Sequence, residues 1–555
     1  MSETKNLSPV ERIKTKSDGL RGSLKESLDE PITGALYDDD QTLIKFHGLY
    51  QQDDRDRREE RSLKKLEWLY SYMVRLRLPG GFLLPKQWEG LHEISNQYST
   101  GVIKVTTRQT VQLHGIIKSH IKPSLQQFDL LKLDAIAACG DVNRNVICSA
   151  HPKQSALHET IFAYADKIST LALPKTNAYY EIWLDKEKIG SSETEKDPLY
   201  QDRYLPRKFK IAIAIPPNND SDIFANDIGL IAIIKDNQLK GFNIAAGGGL
   251  SSTHGNSNTY ARLATMLGFV ATEEQLLKAV YEIITIQRDY GNRGDRKLAR
   301  LKYTIDTMGV DAFKKELAIR CGFELAEAAP YEFTERKDYY GWHQNHEGKW
   351  YYTLFIENGR ITDTETTALK TACYEVAKTG KANYRFTCNQ NLILADILPE
   401  NKAIIEAILV QYGVITHTND ASAIRKNSMA CVAFNTCPLA LAEAQRYLPT
   451  LIGKIEPILT KYELLSEEIT IRMTGCPNGC GRSPLAEIGL IGTAYGYYNL
   501  HIGGDRNGER LNKEYKQHLN ETQILEALDH LFSNYAKARN PAETFGNFVT
   551  RLNLV

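Results

Sequence analysis

No stretch of these 555 residues approaches the roughly 18 consecutive apolar side chains that a membrane-spanning helix needs. The first thirty residues alternate charged and polar groups and lack the apolar segment of a secretory leader, so a cytoplasmic address is expected. An excess of charge of one sign is missing too. The 68 Lys+Arg cancel the 68 Asp+Glu, which excludes a global field drawing the chain to nucleic acid or a membrane surface and leaves any pull on anions to local clusters. Basic and aromatic residues are not interleaved as they are in nucleic-acid readers. No glycine-rich dinucleotide loop follows a convincing first strand; GGGLSSTHG (247–255) is an isolated glycine cluster. Cysteine is sparse and odd in number. Nine thiols in a reducing compartment are not a disulfide framework, so those that cluster by spacing point to metal or redox chemistry.

What is present has the balance of a globular protein, with 42% hydrophobic, 25% charged and 9% aromatic residues. The length predicts two or three domains. Helical periodicity runs through 156–172, 274–288 and 438–459, and IAIAI (211–215) alternates with a strand's environment, so the fold class is α+β, a mixed α/β architecture. The charge-rich run 51–65 reads as a solvated helix or arm, and 1–65 as an N-terminal arm with a possible docking role.

The chain is also built from two copies of one unit. KVTTRQTVQL (104–113) resembles RFTCNQNLIL (385–394), with Thr106, Gln109 and Leu113 matching Thr387, Gln390 and Leu394 at a constant offset. RLRLPGG (75–81) and TLFIENGR (353–360) each end an apolar run in a glycine turn. NDIGLIA (226–232) matches AEIGLIG (486–492), and GFNIAAGGG (241–249) matches YYNLHIGGD (497–505). Four matches in one order predict an internal duplication with pseudo-twofold symmetry. The copies differ before the IGL motif: the first reads Arg207-Lys208-Phe209-Lys210, the second IRMTGCPNGCGR (471–482). Cations on one copy can therefore face thiols on the other. Alternation along a strand puts Lys208 and Lys210 on one face, with Arg207 and Phe209 on the other.

Four cysteines fall in two pairs, Cys431 and Cys437 in C-x5-C, then Cys476 and Cys480 in C-x3-C. Four thiolates suit tetrahedral zinc or an iron–sulfur cube. The wide first pair is a poor zinc knuckle, which favours the cube. Gly475 and Gly481 are expected to let the backbone approach a bulky inorganic core. Cys139, Cys148, Cys321, Cys373 and Cys388 show no pairing and read as small buried hydrophobes.

NTCPLALAEAQRYLP (435–449) with MTGCPNGCGRSPLAEIGLIG (473–492) resembles the signature of the sirohaem-dependent sulfite and nitrite reductases. The likeness extends through FHGLYQQDDRD, RLRLPGG, TTRQTVQLHGI, VNRNVIC, YLPRKFK and GFNIAAGGGLS, and is greatest to the haemoprotein subunits on the assimilatory sulfite branch. The resemblance implies three domains with cofactors at their junction: a ferredoxin-like repeat domain from 66–137 and 338–415, a first α/β domain over 138–337, and a second over 416–555. It implies a 4Fe–4S cluster on Cys431, Cys437, Cys476 and Cys480, with Cys480 also the axial ligand of a sirohaem. The family's substrate cations fall on Arg75, Arg144, Lys208 and Lys210, and its sirohaem contacts on Lys104, Arg108, Gln112, Arg207, Arg300 and Asn478. Lys104 stands where Arg is usual and Arg300 where Lys is usual. The implied reaction is the six-electron reduction of sulfite to sulfide, with nitrite reduction as the rival and a non-catalytic zinc scaffold as the alternative from another class. Electrons would come from an NADPH-fed flavoprotein subunit or from ferredoxin.

Overall fold

A computed structural model describes residues 6–176, 178–183 and 196–555. Its described strands form four five-stranded sheets that fall into two like pairs. In the first pair, one sheet runs Leu49–Asp53, Tyr70–Arg75, Val111–Ile116, Ile103–Val105 and Arg360–Ile361, antiparallel throughout. Its counterpart runs Gly341–Gln344, Trp350–Leu354, Leu392–Ile397, Asn383–Phe386 and Phe82–Leu83. Each half lends its two-residue strand to the sheet of the other. The helices Pro85–Tyr98 and Leu369–Thr379 pack against each other, and Trp88 of the first half stacks on Tyr384 of the second with ring centroids 4.4 Å apart. Exchanged strands and a shared aromatic stack make the two halves one body.

The second pair repeats an α/β unit. Ile147–Cys148, Ile211–Ala214 and Ile228–Lys235 pair in parallel, followed by antiparallel Gln238–Ala246 and Thr265–Val270. Ser428–Ala430, Ile471–Thr474, Ile488–Ala494, Tyr497–Ile502 and Lys513–Leu519 have the same order and senses. Each unit continues into an 18-residue helix opened by a capping box, Thr272 with Gln275 and Asn520 with Gln523. One large core spans Leu20 to Val414, and the second α/β unit has its own from Ile424 to Val549.

The copies meet at equivalent residues. Asp222 and Arg482 both take left-handed backbone conformations (φ 48° and 57°), each before a short 3-10 turn, and pair at 2.6 Å. Arg472 at 2.8 Å and Arg336 at 3.2 Å complete the surround of this buried carboxylate. Three guanidinium groups hold it far below the usual carboxylate range in spite of its burial.

Two expectations need correction. Helix covers Leu448–Lys461 but not 438–447, whose backbone is committed elsewhere: Leu441 and Ala442 N–H donate to Gly475 O, and Gln445 N–H to Cys431 O. The arm expected over 1–65 is built into the body wherever it is described. Lys14 is fully buried against Glu11 and Asp141, and Leu49–Asp53 is a strand of the first sheet. The segment's exposed side chains gather at residues 31–32 and 37–39 and around the helix Arg58–Leu63.

Candidate active site at the meeting of the two copies

The parallel strands Ser428–Ala430 and Ile471–Thr474 end side by side, and their C-terminal ends deliver Cys431 and Cys476. Cys431 N–H donates to Met473 O, while Gly475 N–H reaches Cys431 Sγ at 3.4 Å and Asn478 Nδ2 reaches Cys476 Sγ at 3.3 Å. N–H donors aimed at sulfur stabilise thiolate character and suit metal-bound sulfur. Without a metal, burial pushes the thiols of Cys431, Cys437 and Cys476 up, Cys437 to about 11, and the charge of Cys480 adds to each. All four therefore lie within electrostatic reach of one another. Yet among the described residues no three His, Cys, Asp or Glu side chains converge closely enough to hold a single ion. Four thiols brought near one another, with the wide C-x5-C spacing of the first pair, suit a 4Fe–4S cube.

Gly475 and Gly481 are required by the protein's own packing. A Cβ on Gly475 would meet Ala442 O at 2.6 Å and Ala433 Cβ at 2.7 Å; on Gly481 it would meet Met473 O at 2.6 Å. They let neighbouring protein backbone close in and so fix the cysteine loops. Gly479 has φ +66° and abuts Leu250 of the first copy, and Ser252 N–H donates to Pro477 O at 2.9 Å. The glycine-rich loop of one copy thus packs on the cysteine turn of the other.

Lys208, Lys210, Arg108 and Arg300 line a single cavity with Asn478 and Cys480. Phe209 is buried and bridges Asn143, which turns the flanking lysines together to the other side. Burial, reinforced by Arg207, pushes Lys208 down to about 7, and Lys210 falls well below its ordinary value through burial and then Lys208. Arg108 is brought down to about 9 by burial. It donates to Asn226 Oδ1 (2.7 Å), Asn145 O (2.5 Å) and Ile211 O (3.0 Å), while its buried Nε has no partner. Arg300 is largely spoken for, since Asp227 takes its fork at 2.7 and 3.2 Å. A cavity walled by desolvated cations and an unpartnered guanidinium N–H suits a ligand rich in carboxylates.

The other expected cations stand outside that lining. Arg75 and Arg144 converge on Ala138 O, each at 3.3 Å, and Arg144 lies near enough to lower Lys208. Arg75 also donates to Cys139 Sγ at 3.0 Å, so this cysteine is an acceptor as well as a buried apolar group. Cys148, Cys373 and Cys388 are buried as expected, whereas Cys321 is half-buried. Arg75, Gln112, Lys104 and Arg360 sit opposite one another on successive strands, a polar row across one face of the first sheet. Burial, then Arg360 and Arg446, brings Lys104 down to about 8. Arg207 leans 4.0 Å from Asp141, which Arg296 grips at 2.6 and 2.8 Å.

Several residues of the site were not singled out from the sequence. Lys302 is buried, brought down to about 7, and ties Gly249 O and Ser251 O at 3.1 and 2.8 Å. Arg55 donates to Cys437 O and Ala440 O, both at 2.9 Å, and so holds the C-x5-C loop from the segment taken for an arm. Arg482 was legible through the duplication, as the counterpart of Asp222.

Comparison with known proteins agrees with this geometry. The described family "Nitrite and sulphite reductase 4Fe-4S domain" matches residues 163–325, and the "Nitrite/Sulfite reductase ferredoxin-like half domain" matches 69–130 and again 343–412. A sulfite reductase (NADPH) hemoprotein beta-component of Leptospira biflexa is 59% identical over 100% of both chains. The chain belongs to the nitrite and sulphite reductase family. Another member of that family, the beta-component of Staphylococcus haemolyticus, is 52% identical over 99% of this chain and 96% of its own. The Mycobacterium tuberculosis NirA protein shares the reductase fold, with a TM-score of 0.77 at 24% identity over 97% of this chain and 94% of that one. The double match of the half domain is the duplication read from the sequence. The match named for the 4Fe-4S domain falls on the copy that carries Lys208 and Lys210, and the four clustered cysteines lie in the other copy.

Proposed function

We propose that the chain is the haemoprotein component of an assimilatory sulfite reductase and reduces sulfite to hydrogen sulfide. The observation that carries this reading is the juxtaposition, in one cavity, of Cys480 from the second copy with Lys208 and Lys210 from the first. Cys431, Cys437, Cys476 and Cys480 would hold a 4Fe–4S cluster, and Cys480 would also ligate a sirohaem whose carboxylates meet Arg108, Arg207, Lys104, Gln112, Arg300 and Asn478. When bound, the pair would supply the electrons singly and bind the substrate's sulfur at the haem iron.

The chain's own residues do the rest. Sulfite takes up six electrons and eight protons to leave as hydrogen sulfide and three waters. Arg75 and Arg144 offset the dianion's charge and orient it with the guanidinium N–H groups that their bonds to the protein leave over. Lys208 and Lys210 share one face and are desolvated, so each gives up a proton far more readily than a solvated lysine does. The cavity draws Thr107 and Arg108 from the first sheet's half, Lys208, Lys210 and Arg300 from the first α/β unit, and Asn478 and Cys480 from the second.

The relatives' name specifies NADPH and a beta-component, which supports a flavoprotein alpha subunit as the electron donor; ferredoxin is the other candidate. No helix among the described residues is long and apolar enough to cross a membrane. The test is an absorption spectrum and iron assay of the purified protein, followed by steady-state turnover on sulfite and nitrite. A reduced-porphyrin haem band and a higher specificity constant for sulfite are expected. A colourless protein, or one that far prefers nitrite, overturns the assignment.

A further inference from the structure

On the polar face of the first sheet a chain of buried hydrogen bonds runs from the cysteine loop to Arg75. Arg75 has only donors, so the Gln112 amide must turn its oxygen toward it, accepting from Nη2 at 2.5 Å and Nε at 2.9 Å. The Gln112 nitrogen then donates to His114 Nε2 at 3.1 Å. That fixes the imidazole tautomer: Nε2 is the acceptor and the proton sits on Nδ1, which donates to Gln52 Oε1 at 2.9 Å. Thr436, next to Cys437, lies 3.4 Å from the same Nδ1. Gln52, Gln112 and His114 are all buried, so none of these bonds is exchanged freely with water.

The matching positions of the second sheet carry nothing of the kind. Met73, Gln112 and His114 correspond to Tyr351, Ile393 and Ala395, which close into an apolar cluster with Ala150. The polar chain therefore exists only on the copy that bears Arg75.

We propose that His114 is a positioning residue for Arg75: held by Gln52, it presents an unprotonated Nε2 that locks the Gln112 amide and so aims the guanidinium at a bound oxyanion. The proposal rests on the sulfite reading and deepens it. Gln52 comes from FHGLYQQDDRD, so it also gives that block a part in the site. His114 touches neither substrate nor cofactor in this role. Its loss would act on oxyanion affinity and leave the proton-supplying lysines intact.

The experiment is a sulfite titration of the holoenzyme, followed by the haem absorption band, for wild type, His114→Phe, His114→Gln and Gln52→Leu. Haem and iron content are measured beside it and KM and kcat separately. His114→Phe should bind sulfite about tenfold more weakly with full cofactor content, the rise falling on KM and not on kcat. His114→Gln keeps an acceptor near the Nε2 position and should regain most of the affinity. Wild-type affinity in cofactor-replete His114→Phe, or equal losses in the Phe and Gln variants, overturns the proposal. Should His114→Phe fail to fold, Gln52→Leu decides: weaker binding supports the proposal and unchanged binding overturns it. If wild type itself shows no haem band or no response to sulfite, the functional reading fails, which is a separate result.

Discussion

The two copies have kept opposite parts of one machine. On the first sheet one face carries Arg75, opposite Gln112, opposite Lys104; at the same three places the second sheet carries Thr353, Ile393 and Arg385. In the α/β units the trade runs the other way. Cys431 and Cys480 correspond to Ser149 and Asp220, whose side chains bond to each other at 2.7 Å. A buried group that has lost its ligand is costly unless it is made apolar or given a partner, and both solutions are visible here. Each copy has thus closed the half of the site that the other supplies.

The largest effect that could break this comparison comes from the one atom the two centres would share. Cys480→Ser should lose the haem band and most cluster iron together, with sulfite turnover down about a hundredfold or more. Asp220→Asn, at the equivalent place in the first copy, should leave both cofactors bound. Iron analysis and visible spectra of the two variants check this; a Cys480→Ser protein with intact, coupled centres would remove the basis for the asymmetry.

Next comes the substrate wall. Arg75→Ala should lower kcat/KM for sulfite about tenfold to a hundredfold, mostly through KM, because a half-buried positive charge is lost while Lys208 and Lys210 remain. On the closed side, Ile393→Ala should leave sulfite affinity unchanged and cost about 2–5 kcal/mol of stability, since it opens a cavity among Tyr351, Ala395 and Ala150. Denaturant midpoints beside sulfite titrations separate the two. A change of affinity in the Ile393 variant would mean the second sheet is not silent.

How far this division could be read from sequence depends on the range of the interactions. The cysteine pairs, the K-x-K alternation and the duplicated IGL motif are local, so their spacing carries them directly. Arg75, Gln112 and Gln52 become neighbours only because three strands distant in sequence lie side by side, and no local pattern announces that. The segment 438–447 has helical periodicity, but its N–H groups close the cysteine loops instead, a tertiary demand that overrides propensity. The same holds for Arg55. A charge-rich run suggests solvent, whereas its guanidinium caps carbonyls beside Cys437.

The smallest effect concerns the cation that each copy keeps next to its row. Lys104 on the working copy has no acidic partner among the charges acting on it, which are Arg360 and Arg446. Its counterpart Arg385 donates to both oxygens of Glu159, at 2.8 and 2.9 Å, and stacks near Phe82 and Phe162. Burial by itself would raise Glu159, but the hydrogen bond from His158 and the charge of Arg385 outweigh it and hold the carboxyl down to about 2. A carboxylate depressed in the folded state stabilises it above the unfolded value near 4.5, and that contribution is lost as pH falls through about 2. Glu159→Gln should therefore cost stability at neutral pH, by less than about 1 kcal/mol because the side chain is more than half exposed and screened. The gap between variant and wild type should narrow as pH is lowered from about 5 toward 3 in urea melts. Sulfite affinity should not move, because on this copy the cation is neutralised by the protein itself and is not kept for an anion.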